Sequence, residues 1–89
     1  MSQRVEVFVQ LKPGMLDPQG AVLEHALADL GYDGVGQVRV GKWITFRVPA
    51  GDREGVEARV DEMCRRLLAN PVIEQYRFRV VEDGAEGSA

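Results

Sequence analysis

The sequence predicts a small two-layer α+β domain of order β-α-β-β-α-β, with two helices covering one face of an antiparallel sheet. Three observations predict it. The chain has 89 residues, room for one domain and one modest core. Stretches with period-two alternation of valine and aromatic residues are interleaved with two stretches at helical spacing. The connections between them are short and marked by glycine and proline, which suits strands and helices sorted into two layers.

Val5, Val7, Val9 and Leu11 alternate with Arg4, Glu6, Phe8 and Gln10, the pattern of a strand with one strongly apolar face. Lys12-Pro13-Gly14 stops it, because proline cannot donate to the ladder and glycine frees the backbone. Asp17-Pro18 opens a helix: the carboxylate can cap free amides and proline fits the first helical position. Val22, Leu23, Ala26, Leu27 and Leu30 form its apolar stripe, and Gly31 supplies the stop.

Val38, Val40, Ile44, Phe46 and Val48 share one parity, interrupted at Gly41-Lys42. A hairpin with a three-residue loop, Gly41-Lys42-Trp43, keeps all five on one face; so does one long strand bent at Gly41. Pro49-Ala50-Gly51 ends this region and Asp52 caps a second helix. Val56, Val60, Met63 and Leu67 are its expected buried stripe, flanked by Cys64 and Leu68. Asn70-Pro71 terminates it. Tyr76, Phe78 and Val80 alternate with Arg77, Arg79 and Val81 in a last strand. Residues 1–82 read as a single domain. Residues 83–89, rich in glycine, acid, alanine and serine, read as a flexible tail.

Composition narrows the function. Eleven Lys and Arg stand against 14 Asp and Glu, a net charge of −3. That balance argues against holding a nucleic-acid backbone by bulk charge. No apolar run approaches the ~20 residues of a membrane helix, and no secretory signal is expected at the N-terminus. Cys64 is the only cysteine, so neither an intramolecular disulfide nor a cysteine-built zinc site can form. A free thiol without an export signal points to the cytoplasm. Small domains lacking such staples are commonly stabilised by self-association.

Candidate chemistry is sparse. Gly36 to Lys42 has the first part of P-loop spacing, but its interior reads as strand, Trp43 follows the lysine, and no helix begins there. His25 and Cys64 are the only possible Cys–His pair. Cys64 lies deep in a helix, not at the helix N-terminus or cationic pocket that activates a thiol, and one histidine is a poor metal constellation. Arg39, Arg47, Arg77 and Arg79 share the outer parity of their strands, with Trp43 close by. An RNA-binding sheet face is therefore the rival reading, although the aromatic signature of RNA-recognition sheets is missing. Met15 and Leu16 stand out, because apolar residues in a loop beside a rigid turn can anchor a partner.

Val9-Gln10-Leu11-Lys12-Pro13-Gly14 followed by Leu16-Asp17-Pro18-Gln19-Gly20 resembles the opening of the PurS family, the small subunit of phosphoribosylformylglycinamidine synthase. The resemblance continues through Glu24-His25-Ala26-Leu27, Leu30-Gly31-Tyr32 and Val38-Arg39-Val40-Gly41-Lys42. It resumes at Met63-Cys64 and closes on Leu67 to Glu74 with Tyr76 and Phe78, covering nearly all of Val5 to Val81. Gly34, Gly36, Trp43, Pro49-Ala50-Gly51, Gly55 and the tail depart from the pattern, and local loop shape is expected to be individual there.

The resemblance implies a subunit without catalytic, cofactor or metal residues. It implies work beside a glutaminase subunit and a synthetase subunit that use glutamine, ATP and magnesium, in a complex where this chain helps ammonia pass between them. It also implies a homodimer that can associate into a tetramer, with no nucleic-acid or membrane partner. The candidate partner contacts are Lys12, Pro13, Met15, Leu16 and Asp17 in the first loop, Arg39 and Lys42 around Gly41, and Asn70 after the second helix. A small oligomeric interaction module is the broader alternative, alongside RNA binding.

Overall fold

The alternating valines of the first strand become the spine of the molecule. A computed structural model of the chain describes residues 2–81, so the tail expected at 83–89 lies outside the described residues. Strand β1 (Ser2–Leu11) is central, with β2 (Gly41–Pro49) and β3 (Glu74–Val81) antiparallel on either side. Register places Val5 between Phe46 and Val80, and Val7 between Ile44 and Phe78. These pairs form the inner face, where Val5, Val7 and Val9 are fully buried.

Helix α2 (Arg53–Met63) lies on that face, capped by Asp52, whose carboxylate accepts from the Gly55 amide. Val56, Val60 and Cys64 seal the core together with Val48 and Ala69. The expected stripe of Val56, Val60, Met63 and Leu67 is half right. Cys64 is buried and Leu68 packs against the core, whereas Leu67 is 82% exposed. The reason is a π-helical turn, Cys64–Leu68, closed by the Ala69 amide donating to the Cys64 carbonyl at 2.9 Å. A wider turn advances less per residue, so Leu68 returns to the buried line and Leu67 swings outward.

Helix α1 (Pro18–Asp29) follows the sequence at its ends. Asp17 caps it, and the Gly31 and Tyr32 amides close a Schellman motif on the Ala28 and Leu27 carbonyls. Its flank does not follow the expectation. Val22, Leu23 and Leu30 are exposed, and only Gly20 of the helix is buried. The α+β class of two helices on an antiparallel sheet holds, with α1 leaving its apolar flank exposed. The elongated shape reflects this: extents of 49 × 32 × 15 Å and a radius of gyration of 16.6 Å, against ~12 Å for a compact chain of this length.

The region around Gly41 takes neither expected form in full. One strand, β2, starts at Gly41, and residues 35–40 carry no regular structure, so the element order is β-α-β-α-β. Val38 and Val40 donate their amides to side chains of the first half (Glu24 and Asp17), which leaves them no ladder to join.

Candidate functional site

Three chain reversals meet at one end of the sheet. Leu11 ends β1, and the Lys12 amide donates to the Ile73 carbonyl at 2.9 Å, tying the first loop to the turn before β3. Pro13-Gly14 then reverses the chain, with Gly14 at φ +89° and the Met15 amide returning to the Lys12 carbonyl. A positive φ suits glycine because a Cβ there would crowd the residue's own backbone.

Arg39 fixes this loop from the side. Its guanidinium donates to the carbonyls of Met15 at 3.0 Å, Lys12 at 3.2 Å and Leu11 at 3.4 Å. Asp17 fixes it from below. One carboxylate oxygen accepts from the Gly20 amide and the other from the Val40 amide, each at 2.9 Å. The Val40 bond, then the Gly20 bond, hold the Asp17 carboxyl below the ordinary carboxylate range, and the nearby Arg39 charge adds to them. A Cβ on Gly20 would sit 2.2 Å from the Val38 carbonyl oxygen, so only glycine lets α1 approach segment 35–40 this closely.

The result is a pinned backbone with outward apolar tips: Leu16 is 83% exposed and Met15 is exposed beside it. Asn70 shapes the adjacent turn. Its side-chain oxygen accepts from the Val72 amide, its carbonyl accepts from the Ile73 and Glu74 amides, and its own amide donates to Glu74 Oε1 at 2.7 Å. Lys42 lies exposed at the start of β2. The eight expected contact residues therefore come from three separate stretches and gather at this end, with Lys12, Pro13, Met15, Leu16, Arg39, Lys42 and Asn70 exposed and Asp17 buried as their support.

The outer sheet face at the same end carries a row across all three strands. Trp43 stacks on Phe8 with ring centres 6.3 Å apart and planes 4° from parallel, and Arg77 lies 4.9 Å over the Phe8 ring. With Lys42, Gln75 and Tyr76 they line an open concavity of about 540 Å³. The arginine platform expected for RNA is not assembled. Arg39 is off the sheet, Arg47 donates to Ser2, and Arg79 pairs with the buried Glu6.

The other candidate chemistry is dispersed. His25 is exposed on α1, while Cys64 is buried under α2, where desolvation raises its thiol pKa, the opposite of activation. Segment 36–42 leads into a strand and not into a helix. Among the described residues no group of three or more His, Cys, Asp or Glu side chains could hold a metal, and no helix is long and apolar enough to cross a membrane. Tyr76 donates to Asp61 at 2.6 Å and Arg65 does so at 2.9 Å. The Tyr76 bond, with Arg65 second, lowers the Asp61 pKa, and the same bond raises that of Tyr76. This cluster fastens α2 to β3.

Nothing local in the sequence marks Arg39 as a three-carbonyl clamp or Glu24 as the acceptor for Val38. Gly20 is a readable signal, since glycine inside a helical pattern marks a close approach.

Known proteins share this architecture along nearly the whole chain. Residues 4–82 match the family model PurS, described as phosphoribosylformylglycinamidine (FGAM) synthase. The phosphoribosylformylglycinamidine synthase subunit PurS of Bacillus subtilis (strain 168) is 46% identical over 79 residues, covering 89% of this chain and 93% of that one. The subunit of the same name from Methanothermobacter thermautotrophicus is 45% identical over 82 residues, covering 92% and 96%. A crystal structure of B. subtilis PurS superposes with a TM-score of 0.81 at 45% identity, covering 92% of this chain and 100% of that chain. A chain in the structure of PurLQS from Thermotoga maritima does so at 0.82 and 31% identity, covering 91% and 99%.

Proposed function

Because this chain belongs to the PurS family, we propose that it is the non-catalytic small subunit of a cytoplasmic phosphoribosylformylglycinamidine synthase in purine biosynthesis. It works as a homodimer that can pair into a tetramer, and it bridges a glutaminase subunit and a synthetase subunit. In that complex the glutaminase releases ammonia from glutamine. The synthetase, with ATP and magnesium, transfers a phosphoryl group to the amide oxygen of formylglycinamide ribonucleotide. Ammonia then displaces phosphate to give the amidine. This chain's share is shape. Ammonia reacts only unprotonated, so its route needs walls that exclude water and protons, which a rigid wedge supplies without a titrating residue.

The observation that carries the reading is the pinned loop Lys12–Asp17. Arg39 and Asp17 hold its backbone while Leu16 and Met15 project, so a partner meets a preorganised apolar anchor and little ordering entropy is lost on docking. The test is size-exclusion chromatography of the chain with both partner subunits. Leu16→Asp is expected to weaken assembly while the chain alone keeps its own elution volume. Unchanged assembly counts against the loop as a contact.

A further inference from the structure

We propose that the outer sheet face holds a binding site for a free mononucleotide: the aromatic pair Phe8–Trp43 takes the base and the guanidinium of Arg77 takes the phosphate.

The site begins with the strand register. Phe8 on β1 lies between Trp43 on β2 and Arg77 on β3, so the three strands each contribute one side chain to a row on the face opposite the valine core. In the next row Gln10 lies between Gly41 and Gln75. Gly41 brings no side chain, and a Cβ there would sit 2.5 Å from the Val9 carbonyl oxygen. Beside the aromatic row this leaves the concavity of about 540 Å³, within the ~300–1,000 Å³ common for small-ligand sites.

Its chemistry fits a planar aromatic anion. Trp43 is 61% exposed and is held by its stack on Phe8, a flat surface on which a base can stack. Arg77 is positioned by the Phe8 ring, and a guanidinium held over a ring keeps N–H donors for an oxyanion. No carboxylate lines the concavity, whose second cation is Lys42. Among the described residues neither Arg77 nor Lys42 has an ion-pair partner. The whole face sets Arg4, Arg47, Arg77 and Arg79 against the single carboxylate of Glu6, in a chain whose net charge is −3.

The occupant is one nucleotide and not a strand. A strand needs a line of available cations to follow its phosphates. Here Arg79 is held by Glu6 and Arg47 donates to Ser2, so the cations at the concavity match one phosphate.

Titration of the full chain with adenosine monophosphate tests it. Trp43 is the only tryptophan, so its fluorescence reads the site directly, and calorimetry reads the variants. Saturable quenching with a Kd of about 1 mM or below is expected. Adenosine alone and inorganic phosphate alone are each expected to bind about 10-fold or more weakly than the nucleotide. Trp43→Leu and Arg77→Gln are each expected to weaken nucleotide binding about 10-fold or more. Both residues are exposed, so the fold survives, which circular dichroism verifies. Arg66→Gln removes an equal charge from the turn after α2 and is expected to leave the affinity unchanged. Absence of saturable binding overturns the proposal. So does inorganic phosphate binding as tightly as the nucleotide, or an equal loss with Arg66→Gln and Arg77→Gln, since either reduces the contact to bulk charge. A single-stranded oligonucleotide that binds about 100-fold more tightly than the nucleotide, with steep salt dependence, assigns the face to nucleic acid and also overturns it.

Discussion

The two helices of this chain begin alike and end differently. Each opens on an aspartate cap, yet α2 sinks Val56, Val60 and Cys64 into the valine face of the sheet while α1 keeps Val22, Leu23 and Leu30 in the open. The difference lies in the segments that flank each helix. A π turn and the Tyr76–Asp61 bond draw α2 down onto β3. A clamped loop and a glycine contact hold α1 outward. One half of the molecule thus packs a core of its own, and the other half is an arm whose apolar flank lies exposed among the described residues.

The contrast collapses most severely at its buried pole. Val60→Asp places an unpaired charge at a fully buried site and is expected to cost more than about 4 kcal/mol, enough to unfold a small domain; urea titration followed by circular dichroism reads it. Gly20→Ala comes next. Its Cβ would overlap the Val38 carbonyl, so α1 and segment 35–40 separate while the sheet survives. Hydrogen exchange is expected to show lost protection at Gly20 and Val40 with β1 amides unchanged. Tyr76→Phe removes one side-chain bond between α2 and β3 and is expected to cost about 1 kcal/mol, measurable in the same urea titration.

Acid acts on both halves in the same way. Asp17 and Asp61 both have lowered pKa values, from backbone amides in one case and from Tyr76 and then Arg65 in the other. A lowered folded pKa means that stability is fully present above the ordinary aspartate value of about 4 and is lost as pH falls through the folded value. Both anchors are therefore expected to hold from neutrality to about pH 5 and to fail only in stronger acid, seen as a pH midpoint for α1 detachment that Asp17→Asn abolishes. The smallest effect is His25→Ala. Substitution of this exposed side chain on α1 is expected to leave glutamine-dependent activity of the assembled complex unchanged.

The sequence is most legible where one local signal decides one local outcome. Asp17, Asp52 and Gly31 mark helix ends because capping is a matter of neighbouring amides, and Val5, Val7 and Val9 mark the core face by period alone. It is least legible where two distant stretches decide together. Val38 and Val40 have strand parity, but the carboxylates of Glu24 and Asp17 take their amides. Leu67 has core spacing, but a π turn five residues long rotates it away. The apolar stripe of α1 reads as a surface to be covered, and nothing among the described residues covers Val22, Leu23 or Leu30. Met15 and Leu16 read as apolar tips, but the clamp that presents them, Arg39, has the parity of a strand residue and joins no strand.

If this chain supplies shape while its partners supply the chemistry, one reconstitution separates the two contributions. Synthetase and glutaminase are combined with the wild-type chain or with Leu16→Asp, and amidine formation is measured once with glutamine and once with added ammonia. Leu16→Asp is expected to lower the glutamine-driven rate about 10-fold or more, equivalent to about 1.4 kcal/mol, and to leave the ammonia-driven rate unchanged. Equal loss of both rates, or no loss of either, is incompatible with a subunit that acts by shape alone.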